Sequence, residues 1–349
     1  MAISREKIHE ILSGYDKKKL KIATICSHTA LQIFYGARQE GIKTIGICTP
    51  KRKKVYEAFP LGKPDEFLIV DDLRDIPYQE LLDENAILVP HGSLVEYTGD
   101  KISTLPVPIL GNRESLKWEK DRLKMFEWLK AAGLQVPALI DPDKIDRPCI
   151  VKLAGAKGGR GYKVVSTPEE FYEHFEGMNV LVQEYLIGVR AYPHYFYTPL
   201  LQDGYRALEG RIELIGVDRR FESNIDEAYR TEHAGLSFSP SFTVVGNELL
   251  VMRESLLEDL LEMGKGVVEA ADRLFGGIPG PFCLETVVDE NLQFYVFEVS
   301  ARIVAGTNLY PQGSPYTVYQ YQEPMSMGRR IAREIKLAAK MGKLAKIIY

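Results

Sequence analysis

The regular alternation of short apolar runs with amphipathic segments over the first hundred residues constrains the fold more than any other feature. Between the first two of these apolar runs, the stretch ALQIFYGARQEG predicts a helix that ends at Gly41. Strands separated by helices pair in parallel through right-handed crossovers. We therefore expect a doubly wound parallel-sheet domain over residues 1–122. The runs that predict its strands are KIATIC (21–26), TIGICTP (44–50), EFLIVDD (66–72) and AILVP (86–90).

Two short polar segments follow strands of this predicted sheet. Residues 27–29 (Ser-His-Thr) come after the first strand, and residues 91–93 (His-Gly-Ser) come after the fourth. Ligands of such sheets bind beyond the carboxyl ends of the strands. The sequence therefore predicts a ligand site at this edge.

The remainder of the chain predicts two further units of mixed α+β class. The first, over 123–190, is a small lid with strands near 149–153, 162–166 and 179–186 around a helix. A helical stretch over 115–137 leads into it and is expected to be a single helix ending at Gly133. The larger unit, 191–349, is strand-rich. It ends in a basic helix from about 325, expected to be solvated or to lie between subunits.

The glycine-rich stretch VKLAGAKGGRGY (151–162) is the first candidate for ligand chemistry. It matches neither the P-loop nor the dinucleotide fingerprint, because it joins two predicted strands. Glycines let backbone N–H groups approach phosphate oxygens closely, and the stretch supplies several positive charges. Taken alone, however, the segment is equally typical of a hairpin tip at the surface.

Two glutamates in apolar strands form the second candidate. Glu285 and Glu298 lie in the segment 282–302, separated by the turn residues 289–291. A hairpin closed there places Glu285 opposite residue 295, with Glu298 one diagonal step away. Buried carboxylates are costly unless they are paired or bind a metal, and oxygen ligands suit Mg²⁺. Neutralisation of one acid by Arg302 is the structural alternative.

Charge and cysteine usage exclude several classes of function. The net charge is −4, so the chain as a whole is not built to coat nucleic acid or an anionic membrane. The four cysteines are far apart, which indicates buried free thiols in a reducing compartment. No apolar run approaches the length of a membrane span, and the charged N-terminal segment is unlike a signal peptide. We expect a cytoplasmic protein.

The order of these motifs resembles the ATP-grasp superfamily, in which two α+β units clamp ATP and Mg²⁺. That order is a lysine on a strand, a basic glycine loop, a strand ending in QEYL and two acidic strands ending in EVSAR. Two positions depart from the usual pattern. Arg122 stands where a lysine is commoner, and Ser300 replaces a frequent asparagine, which puts one metal or phosphate contact in doubt.

Other segments resemble a narrower group, the archaeal formate-dependent synthetases of purine biosynthesis. The resemblance implies that ATP, formate and aminoimidazole carboxamide ribonucleotide (AICAR) give the N-formyl product (FAICAR), ADP and phosphate through formyl phosphate. It also implies a homotrimer or homohexamer that acts on small molecules, with no nucleic-acid or membrane partner. The segments are SHTALQIFYGARQEG, PHGSLVEY, GVDRRFESNID, TVVGN and FEVSARIVAGTN.

The same resemblance implies roles for individual residues. AICAR would be bound by His28, Ser93 and Asn247. Mg²⁺, or alternatively Mn²⁺, would be bound by Glu285 and Glu298. Arg219 and Arg220 are left open as phosphate donors or structural ion pairs. ATP would be bound by Lys152, Gly155, Lys157, Gly158, Gly159, Gly161, Glu184, Tyr185, Leu186, Glu222 and Arg302.

Two alternatives remain open from the sequence. One is an ATP-grasp ligase that joins a different acid and amine. The other is a regulator that binds AICAR or ATP without turnover. The presence of both Glu285 and Glu298 argues against a regulator, because loss of a metal ligand is the simplest way to disable such a site.

Overall fold

A computed structural model describes residues 2–153, 162–224 and 241–349, together with positions 227, 230, 231 and 235. Three sheets organise these residues: one parallel, one small and antiparallel, and one large and antiparallel. None of the helices in the described residues has the length and apolar character needed to cross a membrane.

The N-terminal sheet is parallel, as predicted, with strand order β3-β2-β1-β4. Its strands are short apolar runs, and every residue of β4 is buried, as a sheet covered on both faces requires. The elements of this region are α1 (Arg5–Ser13), β1 (Lys21–Ile25), α2 (Ala30–Gln39), β2 (Lys43–Cys48), α3 (Pro50–Glu57), β3 (Glu66–Ile69), α4 (Tyr78–Asp83), β4 (Ala86–Leu88) and α5 (Gly92–Thr98).

The expected single helix over 115–137 is wrong, because the stretch forms two helices. They are α6 (Arg113–Lys120) and α7 (Arg122–Ala131). Asp121 has an extended backbone, and its carboxylate accepts hydrogen bonds from the N–H groups of Leu123 and Lys124, so it caps the second helix. Leu123 lies at helical spacing with Leu116 and Phe126, but because of this break it does not join the core and is 68% exposed.

The small sheet is antiparallel, with order β6-β5-β7, and a helix covers one face. Cys149, Val151 and Val165 form its core with Phe171 and Phe175 of that helix. The elements are β5 (Cys149–Leu153), β6 (Lys163–Val165), α8 (Pro168–Phe175) and β7 (Val180–Glu184).

The large sheet is antiparallel, with order β11-β10-β8-β12-β13, and a short strand β9 pairs with β10. A long amphipathic helix, α9, covers it and contacts α7, where Trp128 Nε1 donates to the carbonyl of Val267. The elements are β8 (Val189–Thr198), β9 (Tyr205–Ala207), β10 (Gly210–Glu222), β11 (Val244–Leu249), α9 (Leu257–Phe275), β12 (Gly280–Val288), β13 (Phe294–Ser300) and α10 (Met327–Met341).

The basic C-terminal helix α10 is not simply solvated. One face packs against α2 so closely that a Cβ on Gly36 would lie 2.1 Å from the backbone nitrogen of Arg329. Arg330 and Glu334 are buried on this helix. Arg330 donates to Glu213 of β10 at 2.7 Å and to Glu334 at 2.8 Å. The basic residues of the helix therefore include a structural ion-pair cluster, which the charge pattern alone did not reveal.

Candidate active site

A cleft of about 830 Å³, open to solvent, lies between the small sheet and the large sheet. Strand β5 contributes Lys152, and the end of β7 contributes residues 183–186. Strands β10, β12 and β13 form the opposite wall. The mixture of apolar walls with a few charged groups is typical of a small-molecule site.

Glu285 and Glu298 face each other directly across the β12–β13 hairpin. The predicted register, with Glu285 opposite residue 295, is therefore wrong. Two features change the register. The loop extends to Leu292, which adopts a positive φ of 63°. A β-bulge also shifts the pairing of β12 with β13 at the step from Glu285 to Thr286. Both carboxylates line the cleft, closer together than the sequence indicated.

Arg220 neutralises Glu285. Its two terminal nitrogens contact the two carboxylate oxygens at 2.7 and 2.5 Å, a bidentate geometry. The guanidinium also lies 4.0 Å from the centre of the Tyr192 ring. The open question of Arg220 is thus answered in part: it forms an ion pair inside the cleft. Arg219 instead pairs with Glu248 at the surface, 3.1 Å away.

Glu298 and Lys152 form the less fully paired half of this charge cluster. Desolvation in the cleft and the adjacent charge of Glu285 raise the pKa of Glu298 to about 7. Burial lowers the pKa of Lys152 to about 8, although Glu298 acts in the opposite direction. Lys152 Nζ donates to Gln183 Oε1 at 3.0 Å and lies 4.9 Å from the centre of the Phe297 ring. Compared with the same groups in water, Lys152 therefore loses its proton more readily and Glu298 retains its proton to a higher pH.

The two carboxylates suit a divalent cation. A cation beside them would relieve the repulsion that raises the pKa of Glu298, and carboxylate oxygens are the ligands Mg²⁺ prefers. Among the described residues, no group of three or more His, Cys, Asp or Glu side chains is arranged to hold a metal ion, so the metal assignment rests on these two carboxylates.

Other predicted ATP residues line the same cleft. Glu184, Tyr185 and Leu186 are found where β7 leaves the small sheet, and the Glu184 carboxylate accepts from the N–H of Ala138 at 3.4 Å. Glu222 lies on β10 and forms an ion pair with Arg190. Their contacts with adenine or ribose stay predictions. The predicted residues Gly155, Lys157, Gly158, Gly159 and Gly161 lie outside the described residues.

Arg302 forms its ion pair with an acid other than Glu285 and Glu298. It forms an ion pair with Glu119 of α6 at 2.9 Å, and its Nε is buried without a partner among the described residues. The structural alternative, in which Arg302 neutralises one of the two acids, is therefore wrong, because Arg302 pairs with Glu119 and Arg220 pairs with Glu285. The guanidinium carbon of Arg302 would lie 3.6 Å from a Cβ on Gly92, at the edge of the parallel sheet.

The polar segments after β1 and β4 meet at that edge, as predicted. The His28 and His91 rings stack 5.3 Å apart with an angle of 9° between their planes. His91 Nε2 donates to the carbonyl of Ile25 at 2.9 Å, and its Nδ1 accepts from the N–H of Leu94, so this ring is neutral. Ser93 accepts a hydrogen bond from Ser27 at 3.1 Å.

His28 is held in an electropositive environment. Burial of the ring and the nearby His91, Arg302 and Arg220 lower its pKa, although one side of the residue faces solvent. Its backbone has a positive φ of 56°, and its carbonyl accepts from the side-chain amide of Asn308 at 3.1 Å. Because His91 pairs with Ile303 just beyond β13 and Gly92 lies against Arg302, the edge of the parallel sheet adjoins the end of the strand that carries Glu298.

Asn247 is part of strand β11, opposite Arg220 in the pairing register, and not in a turn. Its Nδ2 donates to Asp218 Oδ2 at 2.7 Å. The residues that sequence reasoning missed are Asp218 and Glu119. Each is paired with a site residue distant in the chain, and only the tertiary fold shows the pairing.

Comparison with known proteins supplies the family. Residues 22–140 match a family described as a protein of unknown function, DUF1246, and residues 171–349 match a domain of unknown function, DUF1297. A curated relative from Methanococcoides burtonii is 50% identical over 356 residues, covering 99% of both chains. It is named 5-formaminoimidazole-4-carboxamide-1-(beta)-D-ribofuranosyl 5'-monophosphate synthetase. This chain belongs to that synthetase family.

One solved structure supports membership of this synthetase family, and a more distant one shows the same fold. The IMP biosynthesis protein PurP from Thermococcus kodakaraensis has a TM-score of 0.76 and 30% identity, over 94% of this chain and 100% of that one. An N5-carboxyaminoimidazole synthetase from Staphylococcus aureus complexed with ADP has a TM-score of 0.59 and 16% identity, over 92% and 79% of the two chains. The synthetase therefore has the ATP-grasp fold expected from its motif order, and it is a ligase of purine biosynthesis.

Proposed function

We propose that this synthetase joins formate to the amine of AICAR at the expense of ATP, producing FAICAR, ADP and phosphate. The observation that carries the proposal is the adjacency of two subsites. The cleft with Glu285, Glu298 and Lys152 suits a nucleotide phosphate chain, and the edge with His28 and Ser93 adjoins the end of β13 through the bridge between His91 and Ile303. A phosphorylated acid formed in the first subsite can meet an amine held in the second.

The chemistry explains why ATP is needed. Formate is a poor acylating agent because its oxide leaving group is too basic. Transfer of the γ-phosphoryl group breaks a bond to the β-phosphate oxygen and forms a bond to a formate oxygen, giving formyl phosphate. The amine then forms a bond to the formyl carbon, and phosphate leaves as the amine loses a proton. Alignment of reactants can contribute about 7–11 kcal/mol to lowering the barrier.

The chain's own residues position groups and balance charge in this scheme. Lys152 on β5 faces the phosphates, while Glu285 and Glu298 would hold Mg²⁺ or Mn²⁺, which supplies charge neutralisation when bound. His28, Ser93 and Asn247 hold AICAR. Arg302, whose Nε has spare hydrogen-bonding capacity, is positioned for an anionic group near Gly92.

The proposal extends to organisation of the chain. We assign residues 1–122 to the N-terminal domain, 123–190 to the lid and 191–349 to the catalytic subdomain. The glycine segment 155–161 would shield formyl phosphate from water. A cytoplasmic homotrimer or homohexamer is expected, and light scattering after size exclusion measures that assembly.

The test is ADP release with AICAR present, with and without formate. The proposal predicts turnover that needs all three substrates and yields FAICAR. Turnover with an amino acid in place of formate would indicate a ligase for a different acid. Binding of AICAR and ATP without phosphate release would indicate a regulator. Either result contradicts the proposal.

A further inference from the structure

A buried polar chain runs across three adjacent strands and ends at Asn247. His194 on β8 contacts Asp218 on β10, with 2.7 Å between Nε2 and Oδ1. Asn247 on β11 donates from Nδ2 to the other carboxylate oxygen at 2.7 Å. The His194 and Asp218 side chains are each 1% exposed, whereas Asn247 is only partly buried. The chain thus has a closed inner end and an open outer end.

The chemistry of the carboxylate fixes the direction of every hydrogen bond in this chain. An ionised carboxylate has no hydrogen to give, so Asp218 accepts from His194 and from Asn247. The amide of Asn247 must therefore turn its nitrogen inward. Its oxygen faces away from Asp218 and is an acceptor.

We propose that Asp218 is a positioning residue that makes Asn247 present its amide oxygen to an N–H group of the amine substrate. This inference rests on the proposed function, in which Asn247 binds AICAR. That ligand carries N–H donors on both its amine and its carboxamide. An oxygen acceptor fixed at this position would select for them.

The packing around Asp218 supports a dedicated role. A Cβ on Gly306 would lie 2.2 Å from Asp218 Oδ1 and 2.7 Å from His194 Nε2, so the backbone of the turn Ala305–Leu309 covers the pair. The same turn carries Asn308, which donates to the carbonyl of His28. One short turn therefore contacts both residues assigned to AICAR, His28 directly through Asn308 and Asn247 indirectly through Asp218.

The inner end of the chain argues against a purely structural pair. His194 Nδ1 is buried and has no hydrogen-bond partner among the described residues. A buried charged group with an incompletely satisfied partner is a poor way to stabilise a sheet, since apolar residues of similar volume do so as well or better. Orientation of Asn247 gives the arrangement a purpose that stability does not.

The test exchanges donor and acceptor. In Asp218→Asn, the new amide accepts from His194 through its oxygen and offers N–H to Asn247. The amide of Asn247 must then turn its oxygen inward and present N–H groups to the ligand. We expect the KM for AICAR to rise at least tenfold while the KM for ATP changes less than twofold.

The double variant Asp218→Asn with Asn247→Asp restores an oxygen acceptor toward the ligand and keeps the number of charges. Its AICAR KM should return to within threefold of wild type. Glu334→Gln is the matched control, because it removes a carboxylate that is buried and hydrogen-bonded to Thr198 and Arg330 far from Asn247. It should lower the melting temperature without changing the AICAR KM.

An unchanged AICAR KM in folded Asp218→Asn overturns the inference while leaving the proposed function intact. If that variant does not fold, the double variant decides, and a rise in AICAR KM above threefold with normal ATP KM overturns the inference. Absence of AICAR-dependent ADP release in wild type is a different failure. It overturns the proposed function and the inference with it.

Discussion

Two buried arginine–glutamate clusters, each including residues of the large sheet, differ in how completely their charges are satisfied. In the first, Arg330 contacts Glu213 and Glu334, and these acids also accept from Tyr321 and Thr198. The second, lining the cleft, consists of Arg220, Glu285, Glu298 and Lys152; among the described residues, no side chain donates a hydrogen bond to Glu298. The first therefore fits a structural role and the second a ligand site. Buried charge alone does not indicate function; incomplete pairing beside a cavity does.

The largest effect is expected from breaking the first cluster. Arg330→Met leaves buried Glu334 without a cation and Glu213 with Arg211 alone, and should lower the free energy of unfolding by about 3–5 kcal/mol. Urea unfolding measures this. At low temperature, where the variant remains folded, its KM values should equal those of wild type. A loss of ATP affinity without a loss of stability would contradict the assignment of the first cluster to structure and the second to ligand binding.

Glu298→Gln tests the second cluster. We expect a fall in turnover on the order of 10²–10³, comparable to removing one transition-state contact, with no loss of stability because a desolvated charge is removed. Steady-state ADP release and thermal melts measure the two effects. Glu334→Gln is the control and should show the reverse pattern. Wild-type-like turnover in Glu298→Gln would contradict the metal assignment.

The pH profile tests Lys152, whose pKa burial lowers to about 8. The lysine must be charged to attract phosphates, so kcat/KM for ATP should fall about tenfold per pH unit above 8. Lys152→Arg should abolish this alkaline limb, because arginine stays charged. Stability depends on the protonation of Lys152 in the opposite direction to activity. Between about pH 8 and 10.5 this lysine is protonated in the unfolded chain but largely neutral in the folded one, so its contribution to the free energy of unfolding rises with pH there. A limb that persists in Lys152→Arg belongs to another group.

The smallest effect is expected at the edge of the parallel sheet. In Gly92→Ala the new Cβ would lie 2.8 Å from His28 Nε2, so the imidazole must shift. We expect a rise of about three- to tenfold in AICAR KM, equivalent to about 1 kcal/mol, with ATP KM unchanged. Calorimetric titration of each ligand measures both. An equal loss of affinity for AICAR and for ATP would show that the two subsites are not separable.

Much of the fold was predictable because its signals are local. Apolar runs predicted the strands of the parallel sheet, and the turn after Val288 predicted the hairpin that carries both glutamates. The break at Asp121 was missed because the helical periodicity continues across it. The bulge beside Glu285 was missed because register depends on backbone geometry that side-chain patterns do not encode.

The electrostatic partners were less predictable, because they are distant in the chain. Arg220 and Glu285 are 65 positions apart, and Arg330 and Glu213 are 117 apart. Residue types alone left Arg220 open between two roles and placed the basic C-terminal helix in solvent or between subunits. Only the strand order β10-β8-β12 and the contact of helix α10 with β10 bring these charges together.

Binding of Mn²⁺ in the presence of a non-hydrolysable ATP analogue, followed by electron paramagnetic resonance, tests the central claim most directly. Wild type and Glu334→Gln should bind one nucleotide-dependent Mn²⁺ per chain, and Glu298→Gln should lose it. Retention of that ion by Glu298→Gln, or its loss from Glu334→Gln, would contradict the assignment of the incompletely paired cluster as the metal–nucleotide site.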